Sequence, residues 1–154
     1  VFDEIGCVLN QAKALIGIRE QGGNNRGPMV DKIIKESGGK PGQAWCSYTM
    51  IYIHKQCGIK FKGVNGMAMS WAKGDKKVRE TKTVRTSDIF TTYSKQLGRI
   101  GHVGMVYTVY PEESFFQSFE GNVNFRGDRE SRGSGAKCLI REYKNIYGFY
   151  RWLK

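Results

Sequence analysis

Residues 101–122 run GHVGMVYTVYPEESFFQSFEGN. Two stretches rich in Val, Tyr and Phe, His102 to Tyr110 and Ser114 to Phe119, flank Tyr110-Pro111-Glu112-Glu113, a turn by its proline and acidic residues. The pattern predicts a β-hairpin whose second arm runs into Glu120-Gly121-Asn122. On the first arm His102, Gly104 and Val106 share one face, and Val103, Met105 and Tyr107 share the other. Closing the hairpin brings residue 120 back beside residue 102. A histidine then meets two side chains that can accept an imidazole N–H, Glu120 and Asn122. Asn122 is expected to enter a turn, which leaves Glu120 as the better acceptor and Asn122 to line the site or bond to Glu120.

Further strands are expected on both sides of this hairpin: Lys77 to Val84, Asp88 to Tyr93, Lys137 to Tyr143 and Ile146 to Trp152. The first half of the chain has a helical period instead. Ile5, Val8, Leu9, Ala12, Leu15 and Ile16 recur at helical spacing from a cap at Asp3 to a stop at Gly17. A Gly- and Asn-rich loop, residues 21–27, leads to Pro28 and a second helix over Met29 to Ser37. A third helix is expected from Trp45 to Gly58, and a short fourth over Gly66 to Lys73. Helices first and consecutive antiparallel strands second argue an α+β fold. One domain over residues 1–154 is expected, with a helical part to about residue 75. A curled sheet or small barrel follows from about residue 76.

Composition narrows the partner. The chain has 154 residues, 25 Lys+Arg against 14 Asp+Glu, and a net charge of +11. Its 40% hydrophobic content excludes a disordered chain. No apolar run reaches the ~18 residues of a spanning helix, so membrane insertion is not expected. The start, Val1-Phe2-Asp3-Glu4, lacks the basic region of a signal peptide. Such a charge suits an acidic partner such as nucleic acid or an anionic polymer. No RNA-recognition, zinc-finger or helix-turn-helix signature accompanies it, so nucleic acid is the weaker alternative.

The four cysteines stand at 7, 46, 57 and 138. None form a CxxC pair, so no zinc site is expected. A core of this size does not need staples, and no structural disulfide is expected. Cys46 opens the third helix, where the helix dipole and open N–H groups favour a thiolate. Cys46, Met50, Ile53 and Cys57 form one stripe of that helix. The chain has only two histidines, His54 and His102. His54 lies about 80° round the helix from Cys46 and about 12 Å along it, which places it off the Cys46 face and in solvent. His102 is therefore the expected base. Gln43, Trp45 and Gly104, beside Cys46 and His102, are the expected substrate contacts.

Trp45-Cys46 at a helix start, Gly101-His102-Val103-Gly104 on a strand and Glu120-Gly121-Asn122 after the next strand resemble the CHAP branch of the NlpC/P60-like cysteine peptidases and amidases. Ser87-Asp88-Ile89-Phe90 is similar to that family's Gly-Asp-Ile strand. Arg19-Glu20 with Gly22 to Gly27 is similar to its lead-in. The sequence departs from the family at Ser47-Tyr48-Thr49, where small residues and an aromatic are usual. It also has no aspartate-rich calcium loop before Cys46. The resemblance implies a papain-like layout and catalysis by Cys46, His102 and Glu120 or Asn122; without the calcium loop, no metal or cofactor is expected. It implies hydrolysis of a peptidoglycan amide, as an endopeptidase or an N-acetylmuramoyl-L-alanine amidase, at the bacterial wall or periplasm. A monomer is expected, with a cognate immunity protein if the protein is an effector. An inactive wall-binding module on the same fold is a second alternative.

Overall fold

Asp3 opens the first helix by accepting the Gly6 N–H on its carboxylate at 2.9 Å, which satisfies one of the donors a helix start leaves open. The computed structural model describes residues 1–124 and 134–154. Helix α1 (Glu4–Leu15) buries Val8, Ala12 and Leu15, and the chain turns at Gly17 with φ 98°. Helix α2 (Pro28–Glu36) carries Pro28 in its first turn and buries Val30, Ile33 and Ile34. Helix α3 (Cys46–Lys55) follows. The expected fourth helix is a single 3₁₀ turn, Ala68–Trp71.

Eight of the ten residues of α3 are buried, because the helix lies between the sheet and the other two helices. This overturns the expectation that His54 faces solvent. His54 is 1% exposed. Its ring packs on Phe61 and Trp71 with centroids 5.0 and 5.8 Å away, and Nδ1 bonds the Met50 carbonyl at 2.6 Å. A helix covered on several sides has no solvent face for a residue 80° off the stripe to reach. The buried Ser47 and Thr49 hydroxyls of α3 are both hydrogen-bonded, Thr49 donating to the Trp45 carbonyl at 2.7 Å. Ser47 donates to the Asn65 carbonyl at 2.5 Å and accepts the Trp71 indole N–H at 2.8 Å.

The expectation of no disulfide is also overturned. Cys7 on α1 is bonded to Cys57, just past α3, across 50 residues of sequence. Packing of α1 beside α3 brings their Cα atoms to 6.0 Å, within bridging range. Cys46 and Cys138 are not disulfide-bonded.

Six strands form one antiparallel sheet in the order β1-β6-β2-β3-β4-β5. They are β1 (Lys77–Val78), β2 (Ile89–Ser94), β3 (Arg99–Val109), β4 (Phe115–Val123), β5 (Gly135–Glu142) and β6 (Gly148–Tyr150). The sheet is open, not a barrel: β1 and β5 are its two edges. The predicted strand at 77–84 shrinks to two residues, because residues 79–83 are exposed and turn through a 3₁₀ helix at Thr81–Thr83. Ile89, Val103, Met105 and Phe119 pack with the helices. Val84, Phe90, Val106, Phe116 and Phe149 form a second core. Asp88, at the head of β2, is 1% exposed and is gripped through both oxygens by Arg151, at 2.8 Å each. That Asp is an anchor for the C-terminal segment.

Candidate active site

Three elements converge on one buried cluster. Cys46 is the first residue of α3, and the preceding loop is braced from below. Glu20 accepts the Trp45 indole N–H at 3.0 Å and the Asn25 N–H at 2.9 Å. Asn25 in turn donates to the Gly42 carbonyl at 3.2 Å. The lead-in loop thus sets where the Cys helix begins. Trp45 caps the helix without a side-chain hydrogen bond, so its first-turn N–H groups gain no bond from a capping side chain.

His102 is positioned by an irregularity in β3. Thr92 pairs with His102 but Tyr93 pairs with Ile100, so Gly101 is an extra residue. A bulge re-aims the neighbouring side chain. On the other side the register Met105↔Phe119 sets Gly104 against Glu120. A Cβ on Gly104 would stand 2.6 Å from the Phe90 ring and 2.8 Å from Glu120 Cγ. Glycine there lets the Glu120 side chain lie flat across β3. His102 Nε2 and Glu120 Oε1 are then 2.6 Å apart.

Glu120 is fully buried and has four donors among the described residues. They are His102 Nε2, Arg141 Nε at 2.8 Å, Arg141 NH2 at 2.5 Å and the Ser118 hydroxyl. Burial, the largest influence on Glu120, pushes its pKa up. The hydrogen bonds and charges of Arg141 and His102 outweigh it and hold the carboxyl at about 2. For His102, burial likewise acts first and lowers the pKa. Hydrogen bonding and charge from Cys46 and Glu120 overcome it and raise the imidazole to about 9. Nδ1 of His102 has no hydrogen bond of ordinary geometry, yet Cys46 is the strongest of the groups that favour the charged ring. Contacts of this kind are often loose until substrate arrives.

A narrow cleft of about 120 Å³ opens on Cys46, lined by Ala44, Cys46, Gly66, Met67, Ala68, Arg99, Ile100 and Gly101. Arg99 is the only charged residue in that lining among the described residues. A larger hollow of about 270 Å³ beside α2 and α3 is lined by His54, Ile51 and Phe61, and no cysteine lines it among the described residues. Burial drives the His54 pKa down to about 4, against a smaller opposing pull from the Met50 carbonyl, so that imidazole is neutral.

The structure brings together Cys46, His102 and Glu120. Of the other sequence candidates, Trp45 and Gln43 lie in the loop before α3, and Gly104 and Asn122 lie on the strands that carry His102 and Glu120. Trp45 is fully buried and held by Glu20. Gln43 is exposed, accepting the Lys40 N–H at 2.8 Å and the Tyr48 hydroxyl at 3.0 Å. Gly104 lies under Glu120. Asn122 is inside β4, not in a turn, because the strand continues through a bulge to Val123. It is buried at φ 60° with neither amide atom hydrogen-bonded, so it does not bond to Glu120. Sequence reasoning missed Arg141, Ser118 and Arg99. Ser118 was within reach of it, since it shares the face of Glu120 two residues on. Arg141 was not, because it arrives through the β4–β5 register, Phe116↔Arg141.

No family model and no curated protein matches the sequence. Solved structures do match the fold. RipD of Mycobacterium tuberculosis, described as a non-catalytic NlpC/p60 domain protein adapted to peptidoglycan binding, superposes with a TM-score of 0.56 at 15% identity, over 99% of this chain and 100% of that one. The fold is that of the NlpC/P60 proteins. The endolysin LysIME-EF1 shares it with a TM-score of 0.63 at 14% identity, over 97% of this chain. This chain spans 64% of that endolysin's length. An NLP/P60-family protein of Staphylococcus aureus, similar to a lipoprotein, matches with a TM-score of 0.53 at 16% identity, over 99% of this chain and 43% of its own. Within this NlpC/P60-like fold the Cys helix and the His strand are the elements that carry the cluster.

Proposed function

We propose that the protein is a cysteine hydrolase of the CHAP type that cleaves an amide bond of peptidoglycan, as an endopeptidase or an amidase releasing L-Ala from muramic acid. The observation that carries this is the buried chain Cys46–His102–Glu120 at a helix N-terminus beside a cleft. With His102 cationic at neutral pH, the thiol proton already rests on the imidazole and Cys46 acts as a thiolate. Its sulfur attacks the amide carbonyl. Backbone N–H groups at the start of α3 receive the oxyanion. His102 then gives its proton to the departing amine and later takes one from the water that releases the acyl group.

Supporting features lie outside the cluster. The cleft walls are small at Ala44, Gly66, Ala68 and Gly101, which suits an amide between residues with small side chains. Arg99 offers a cation to an acidic group nearby, and the +11 charge suits an anionic wall. The Cys7–Cys57 bridge suits an oxidising site of action outside the cytoplasm.

The test is digestion of purified peptidoglycan with mass spectrometry of the fragments. New amino termini and fragment masses identify the bond. Cys46→Ala should retain the fold and release nothing. Binding to the wall without turnover by the unmodified protein would instead assign a non-catalytic binding role.

A further inference from the structure

Glu120 holds two cations at once. Its Oε1 faces both His102 Nε2, at 2.6 Å, and Arg141 NH2, at 2.5 Å. Its Oε2 receives Arg141 Nε at 2.8 Å and the Ser118 hydroxyl. Arg141 stands opposite Phe116 in the β4–β5 ladder. On that face its side chain reaches past Ser118 to the carboxylate. Two parallel N–H donors from one rigid plane fix a carboxylate in orientation, which a single point charge cannot do.

We propose that Arg141, acting with the Ser118 hydroxyl on the same carboxylate, is a positioning residue of the active site: it clamps the Glu120 carboxylate so that Oε1 stays on His102 Nε2 and Nδ1 is left for Cys46. Two physical needs call for such a clamp. Glu120 is wholly buried, where an isolated carboxylate takes up a proton. A protonated Glu120 would no longer hold the imidazolium, and the thiolate of Cys46 would lose its counter-charge. The carboxylate must also be kept from rotating, because its second oxygen has no path to His102 while Ser118 and Arg141 occupy it. Arg141 lies outside the cleft lining, so its effect passes through Glu120 and not through substrate. The titratable groups around Glu120 are His102 from β3, Cys46 on α3 through His102, and Arg141, Lys137 and Cys138 from β5. Lys137 pairs with Glu120 in register, and the Glu120 charge contributes to raising the Cys138 thiol.

As a role in hydrolysis this rests on the function proposed above, so the primary readout is independent of substrate. The rate of Cys46 alkylation by iodoacetamide is followed against pH in the unmodified protein, Arg141→Met and Arg141→Lys. In Arg141→Met the acid limb of the profile should move up by about one pH unit or more. Arg141→Lys, which restores charge without the fork, should recover most of that shift. On peptidoglycan both variants should lose kcat by about tenfold or more with KM little changed. An unchanged acid limb in Arg141→Met overturns the proposal. So does an unchanged acid limb in Ser118→Ala together with full kcat in Arg141→Lys, which applies should the Met variant not fold. If the unmodified protein turns over no peptidoglycan while the alkylation profiles shift as described, the clamp stands and the hydrolase assignment falls.

Discussion

Gly121 of β4 lies directly against Thr49 of α3, so closely that a Cβ on Gly121 would overlap the Thr49 hydroxyl. Thr49 cannot yield easily, because that hydroxyl donates to the Trp45 carbonyl at 2.7 Å within the first turn of α3. This contact sets the height of the Cys46 end of the helix above the sheet. Gly121→Ala should therefore destabilise the protein by about 1–3 kcal/mol and slow Cys46 alkylation. Thermal unfolding and thiol labelling on the same variant check both, and an unperturbed variant would mean that the helix does not rest on Gly121.

The two cysteines outside the disulfide should differ sharply. Cys46 opens a helix and interacts with His102. Cys138 is pushed up by burial and by the Glu120 charge. Near neutral pH, iodoacetamide should modify Cys46 well before Cys138, read by peptide mass mapping. His102→Ala should erase most of the difference, whereas His54→Leu should preserve it.

Glu120 and Asn122 can be separated by kinetics. Glu120→Gln keeps the shape but loses the charge that supports an imidazolium, and it should lower kcat by about a hundredfold. The Asn122 side-chain amide has no hydrogen-bond partner among the described residues, so Asn122→Ala should cost far less. Near-normal turnover in Glu120→Gln with collapse in Asn122→Ala would reverse the assignment.

Stability should peak near pH 6–7 and fall on both sides. The His102 pKa is raised from 6.5 to about 9, so its contribution is complete below pH 6.5 and lost as pH climbs through about 9. His54 is depressed from 6.5 to about 4, so its contribution is complete above pH 6.5 and lost as pH falls toward 4. Glu120, lowered from 4.5 to about 2, adds a further loss below pH 4.5. Denaturant unfolding across this range should give that profile. His54→Leu should flatten the slope between pH 6.5 and 4 and leave the alkaline limb in place.

Reducing the Cys7–Cys57 bridge should lower the stability by about 4 kcal/mol, from the entropy of a loop spanning some fifty residues. Cys7→Ser should match the reduced protein in unfolding temperature. Both should retain Cys46 reactivity, since the bridge joins the far end of α3 to α1.

Local chemistry was legible in the sequence where a short stretch settles its own partners. The hairpin strands over 101–122, the cap at Asp3, Pro28 in the first turn of α2 and the start of α3 near Cys46 follow from period, turn residues and neighbouring strands, and they sufficed for an α+β fold. Distant partners were decided by packing alone. His54 looked exposed because one helix face was considered, whereas α3 is covered on several sides. Cys7 and Cys57 are 50 residues apart and meet only when α1 lies beside α3. Gln43, Trp45 and Gly104 are near the site in sequence but serve turn, core and strand contact. Arg141 and Arg99 come to Glu120 and Cys46 through the register of β5 and the start of β3. Sequence adjacency carries local dihedral and periodic preferences. A buried ion pair or a bridge depends on long-range register, which only the packed sheet and helices determine.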